Sequence, residues 1–98
     1  MDKMSQTEID ERLESLPEWS QGGETLQRTY GFKDFVAAIA FVNRVAASAE
    51  VMQHHPDILV RYSKVTLTLS THDAGGITEK DFELAAVCDG AFADVAGP

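Results

Sequence analysis

Glu50-Val-Met-Gln-His54-His55-Pro56, followed by Tyr62 and then His72-Asp73, groups the side chains of this sequence best suited to chemistry. All three histidines fall within nineteen positions, and two of them are adjacent. Histidine is the residue whose ordinary pKa lets it both give and take a proton near neutrality. Imidazoles gathered in this way point to proton transfer on a small molecule. Glu and His also suit zinc or iron. Against a metal, His-Glu-x-x-His is absent and adjacent histidines do not easily face one ion, so none is expected.

Glu50 and His54 are four apart and would share one face of a helix. Pro56 biases His55 toward extended backbone, which ends the helix near His54 and sends the two imidazoles in different directions. His72 follows the alternating run Val65-Thr-Leu67-Thr-Leu69-Ser-Thr71, at the expected end of a strand. A helix C-terminus and a strand end then converge on a shallow polar cleft. Each residue also has a plainer use. His54 and His55 suit a helix C-terminus, Glu50 a solvated helix face, and His72 a solvated strand end. Asp81 fits a helix capping box and Tyr62 a core aromatic, while Trp19 is open between core and the wall of a flat heterocycle.

The ordered set Glu50-x3-His54-His55-Pro56, Tyr62, His72 and Asp81 resembles the signature of the pterin-4a-carbinolamine dehydratases. Leu16-Pro17-x-Trp19, Gly31-Phe-Lys-Asp-Phe35, Asn43-Arg44-Val45-Ala46 and Lys64-Val65-x-Leu67-Thr-Leu69-Ser-Thr-His72 are similar to that family too, so the likeness runs from about Ile9 to Val95. Lys80 stands where many members carry arginine. The resemblance implies a hydro-lyase that removes water from a 4a-hydroxytetrahydropterin to give the quinonoid dihydropterin, in tetrahydrobiopterin recycling. It implies His54 and His72 as the acid–base pair and His55 as a third active-site histidine that holds the pterin. Glu50 would anchor substrate or set a histidine's charge, with Trp19, Ser70 and Thr71 as further candidates for binding it. It implies no redox cofactor, and a homodimer or homotetramer. A dimerising or coactivator-type binding module, and an activity on another pterin, are the alternatives on the same scaffold.

A chain of 98 residues with 44% hydrophobic and 24% charged content is expected to form a single domain spanning 1–98. A net charge of −8 with scattered Lys and Arg argues against direct nucleic-acid binding. No uninterrupted apolar run reaches the roughly 18 residues of a membrane helix, and the N-terminal residues lack a basic-then-apolar leader. The lone Cys88, in a helical pattern, reads as a buried thiol, and the chain as cytoplasmic.

Ser5-x-x-Glu8, which fits a capping box, or Thr7-x-x-Asp10 predicts the start of a first helix, with Ile9, Leu13 and Leu16 on its apolar side and Pro17 as its stop. Gln21-Gly-Gly-Glu24 predicts a turn, and 26–32 a strand. Residues 33–53 predict a long helix with Phe35, Ile39, Val42, Ala46 and Ala49 inward and a small-residue run at 46–49. Segments 57–62 and 64–71 predict a hairpin around Ser63. Thr78-x-x-Asp81 predicts the cap of a last helix bearing Leu84, Cys88, Ala91 and Val95. The order αββαββα predicts an α+β fold: a four-stranded antiparallel sheet with three helices on one face and edge strands available for subunit pairing.

Overall fold

A computed structural model describes residues 2–97. Its elements are α1 (Gln6–Leu13), β1 (Ser20–Gly22), β2 (Thr25–Gly31), α2 (Phe35–Met52), β3 (Asp57–Arg61), β4 (Lys64–Leu69), one turn of 3-10 helix (His72–Ala74) and α3 (Glu79–Ala96). The four strands form one antiparallel sheet in the order β1-β2-β4-β3, as the α+β reading requires.

Local chemistry sets the element boundaries. Ser5 and Glu8 make the expected reciprocal capping box, and the Ser5 backbone N–H holds the Glu8 carboxyl below its ordinary range. Asp34, not singled out from the sequence, caps α2 by accepting the Ala37 N–H at 2.8 Å. Thr78 and Asp81 make the second box, at the head of α3. The β3–β4 hairpin closes on the two residues Tyr62 and Ser63, with Arg61 opposite Lys64.

Alternation along β4 works as predicted: Val65, Leu67 and Leu69 are buried, and Thr66 and Thr68 turn to the open face. Leu26 and Tyr30 of β2 join them beneath Phe41 and Val45 of α2 and Phe82, Ala85 and Cys88 of α3. Ile9 brings α1 into the same core, and the Arg12 guanidinium lies 5.1 Å over the Phe82 ring.

The inward stripe of α2 differs from the expected one. Ala38, Phe41, Val45 and Ala49 are buried, while Val36 is 76% exposed and Phe35 is exposed beside it. The helix is apolar nearly all round, with mean hydropathy 1.5 over Phe35–Met52, so periodicity alone does not select the face. By length and composition α2 is apolar enough to cross a membrane; here it packs on the sheet and α3, with Arg44 paired to Asp94.

A second carboxylate fastens α3 to the sheet. Asp89 Oδ1 accepts from Trp19 Nε1 at 3.0 Å, Arg28 Nη1 at 2.8 Å and the Tyr30 hydroxyl at 2.5 Å. The Arg28 guanidinium stacks 4.2 Å over the Tyr30 ring. Burial, with the Asp89 acceptor, pushes the Tyr30 hydroxyl well above the ordinary phenol range. Burial also pushes the Cys88 thiol up to about 12 from an ordinary 9.0.

Alkaline destabilisation follows from these two groups. The folded state keeps a proton on Cys88 that the unfolded chain loses above 9.0, so its contribution is whole below that pH and disappears as pH rises through about 12. The unfolding free energy of the wild type in urea should fall over this range, by at most about 1.4 kcal/mol per pH unit for this one group. Cys88→Ala should show a shallower fall; parallel curves would contradict the assignment.

Candidate active site

The geometry begins where α2 stops. Gln53 takes a left-handed conformation, φ 52 and ψ 42, and its N–H reaches back to Ala49 and Glu50. The His54 N–H also bonds the Ala49 carbonyl, at 3.1 Å. This reversal turns the His54 ring into the protein and leaves His55 outside, immediately before Pro56 and β3. The two imidazoles do diverge, but the expected pairing of Glu50 with His54 along a helix does not form. Glu50 Oε2 instead meets His55 Nε2 at 2.5 Å, on the exposed side.

His54 has a buried partner. Its Nε2 lies 2.5 Å from Asp81 Oδ1, and Asp81 is fully buried. The other carboxylate oxygen accepts the Thr78 N–H and the Thr71 hydroxyl, each at 2.9 Å. Thr71 and Thr78 hydroxyls are 2.7 Å apart, and Thr78 Oγ1 accepts the Lys80 N–H at 3.3 Å. The polarity of this chain follows from donor counting: Lys80 N–H to Thr78, Thr78 to Thr71, Thr71 to Asp81. An ionised Asp81 only accepts, so His54 Nε2 carries a proton toward it. Nδ1 is then the nitrogen of His54 able to exchange a proton with a ligand. Asp81 therefore caps α3 and orients the imidazole at once; the capping-box reading captures only the first of these.

A cleft of about 250 Å³ opens between the α2–β3 connection, the end of β4, the 3-10 turn and the first turn of α3. Gln53, His54, His55, Ser70, Thr71, His72, Asp73 and Lys80 line it. This is less than the roughly 300–1,000 Å³ of pockets that enclose drug-sized ligands, and suits a flat molecule left partly open to water. His72 begins the 3-10 turn instead of ending a strand, and its exposed ring makes no side-chain hydrogen bond among the described residues. The Ser70 hydroxyl is held by the Glu24 carbonyl at 2.8 Å. A side chain at Gly76 would meet the carboxylate of Glu24, the exposed end of a flexible side chain, which would have to move aside.

Of the sequence candidates, His54, His55, His72, Ser70 and Thr71 meet in the cleft, and Glu50 stands behind His55. Trp19 is a correction: it is 4% exposed and hydrogen-bonded to Asp89, within the core instead of against the cleft. Tyr62 is another, standing 71% exposed at the hairpin tip instead of in the core. Gln53, Asp73 and Lys80 complete the lining; their nearness in sequence to the histidines and to Asp81 was the available signal. Among the described residues no three His, Cys, Asp or Glu side chains converge in a way that could hold a metal ion.

Residues 2–91 match the family described as pterin 4 alpha carbinolamine dehydratase. The chain belongs to this family. A Cyanothece protein provisionally named pterin-4-alpha-carbinolamine dehydratase is 54% identical over 84 residues, covering 86% of this chain and 87% of the relative. An Acidobacterium capsulatum protein with the same provisional name is 55% identical over 86 residues, covering 88% and 94%. Among solved structures, a Brucella melitensis protein titled transcriptional coactivator/pterin dehydratase aligns with a TM-score of 0.88 at 33% identity, over 98% of this chain and all of that one. A pterin dehydratase-like protein identified as a RuBisCO assembly factor in the alpha-carboxysome aligns with a TM-score of 0.66 at 27% identity, over 76% and 89%. In this member of the dehydratase family, the signature residues His54, His55 and His72 line one cleft, with Asp81 behind His54 and Glu50 behind His55, whereas Tyr62 lies at the other end of the hairpin.

Replacing Asp81 separates capping from orientation. Asp81→Asn retains one acceptor for Thr78 and Thr71 and presents an N–H to the imidazole, which drives the His54 proton from Nε2 to Nδ1. Imidazole nitrogen NMR should report that tautomer, with a soluble folded variant. Asp81→Ala should lose about 3 kcal/mol, since a cap goes and buried partners are left unpaired. An unchanged His54 tautomer in Asp81→Asn would refute the orienting role.

Proposed function

We propose that the described residues act as one domain that dehydrates a 4a-hydroxytetrahydropterin to the quinonoid dihydropterin, as a hydro-lyase in tetrahydrobiopterin recycling. The observation that carries this reading is the pairing of buried His54–Asp81 with the unencumbered His72 across one small cleft. In the reaction the N5 lone pair forms the new C=N bond to C4a, the C4a–O bond breaks, and the hydroxyl leaves as water. One group protonates the departing hydroxyl and another takes the N5 proton, so atoms and charge balance without electron transfer. His54 Nδ1 and the His72 ring supply these two roles. His55, steadied by Glu50, holds the pterin, and Ser70 and Thr71 lie along its edge.

Stopped-flow absorbance of freshly generated 4a-hydroxytetrahydropterin tests the assignment. Wild-type protein should accelerate its decay, and His54→Ala or His72→Ala should each lower the catalysed rate by about 10²- to 10⁴-fold with much smaller effects on pterin affinity. A folded wild type without acceleration would sink the dehydratase reading. Full turnover in either variant would remove that histidine from the mechanism.

We also propose that the chain forms a homodimer or homotetramer. Phe35, Val36, Ile39 and Ala40 line one apolar hollow on the outer side of α2, and Ala47, Val51 and Val87 line another. Val51 is 84% exposed, and the edge strand β3 presents Ile58 and Leu59. Carboxylates placed at Val36 and Val51 should shift sedimentation to the monomer while the helical circular dichroism persists. A wild type that already sediments as a monomer at micromolar concentration would overturn the assembly.

A further inference from the structure

Lys80 lines the cleft, and the acid–base roles of the histidines give it no work. The chain has eight Lys and Arg side chains. Among the described residues, Lys3, Arg12, Arg28 and Arg44 each lie within 4.0 Å of a carboxylate. Lys33, Arg61 and Lys64 form no such pair there, and all three are exposed to water. Lys80 also lacks a carboxylate partner among the described residues, yet it is half-buried. An ammonium drawn out of water without a counter-ion is unfavourable, and lysines are rarely placed so.

The neighbouring carboxylates are spoken for or out of reach. Glu79 pairs with Arg12, and the oxygens of Asp81 are taken by His54, Thr71 and Thr78. Asp73 is the one carboxylate on the cleft lining, and no ion pair joins it to Lys80. The Lys80 N–H is satisfied by Thr78 Oγ1, so its ammonium alone is uncommitted. It is left for a group that enters the cleft.

The ring chemistry says which group that is. If N5 of the pterin gives its proton to a histidine, C6, which is bonded to N5, must lie beside that histidine. The C6 substituent then leaves the ring within the lining that holds His54, His72 and Lys80. We propose that Lys80 selects pterins whose C6 side chain ends in an anion, a carboxylate or a phosphate, and anchors that group. This rests on the dehydratase reading for the placement of the ring and goes beyond it in naming the side chain. A compact ammonium with three donors suits either anion. The net charge of −8 opposes such a ligand only at long range. That opposition is screened beyond about 8 Å at physiological ionic strength, so the local contact decides.

6-Hydroxymethylpterin and its phosphate ester share a ring and differ in the charge at the end of the side chain. Fluorescence titration of each into the wild type tests the proposal. The ester should bind about tenfold more tightly, with an advantage that shrinks as salt is raised. Lys80→Met should bring the two affinities together by weakening the ester, whereas Lys80→Arg, which keeps the charge, should preserve the preference. Both variants should retain wild-type circular dichroism. Equal affinities in the wild type would refute the role of Lys80 and leave the dehydratase reading standing; a folded wild type that binds neither pterin would remove both. Equal weakening of the two ligands in Lys80→Met would put the ammonium on the ring and overturn the side-chain assignment. Displacement of the ester by equimolar inorganic phosphate would also overturn it, reducing the site to a general anion patch.

Discussion

A single buried carboxylate fixes the relation between three parts of the chain. Asp81 at the head of α3 receives Thr71 from the end of β4 and the ring of His54 from the connection after α2. A carboxylate removed from water is tolerated only when its oxygens are satisfied, and loss of any partner leaves a penalty of a few kcal/mol. The cleft walls therefore cannot drift apart independently. The group that orients His54 is also the group that starts the last helix, so folding and the proposed chemistry share one interaction.

Asp89 is its counterpart two turns further along α3, about 12 Å away by the rise of the helix. It gathers Trp19, Arg28 and Tyr30, and so ties the same helix to β2 and to the connection before β1. With α3 pinned at two points against the sheet, the open face beyond β4 is left without a covering layer. Exposed Thr29, Arg61 and Tyr62, with half-buried Thr66, all belong to that uncovered side.

Much of this was legible in the residues. Ser5-x-x-Glu8 and Thr78-x-x-Asp81 state their helix starts through local hydrogen bonding, and the Val65/Leu67/Leu69 alternation states which way β4 faces. The three histidines and the shared cleft could be anticipated because Pro56 biases His55 out of helical geometry, so the helix has to end before it. What could not be read depended on long-range or unusual backbone geometry. The buried side of α2 was hidden by apolar residues on every side, and the decision is made by the sheet and α3. Glu50 finds His55 instead of His54 because Gln53 goes left-handed, which no spacing rule for helices contains. Trp19 belongs to Asp89, seventy positions away, a partner available only after the sheet has formed.

The rigidity of the Asp81 knot also divides the cleft by how freely it can change. Residues inside the knot, His54, Thr71 and Thr78, are each held by partners whose own satisfaction depends on them. Gln53, His55, Asp73 and Lys80 line the rim without entering that knot. New ligand preferences can thus accumulate around the rim one residue at a time, on a floor that has to be inherited whole.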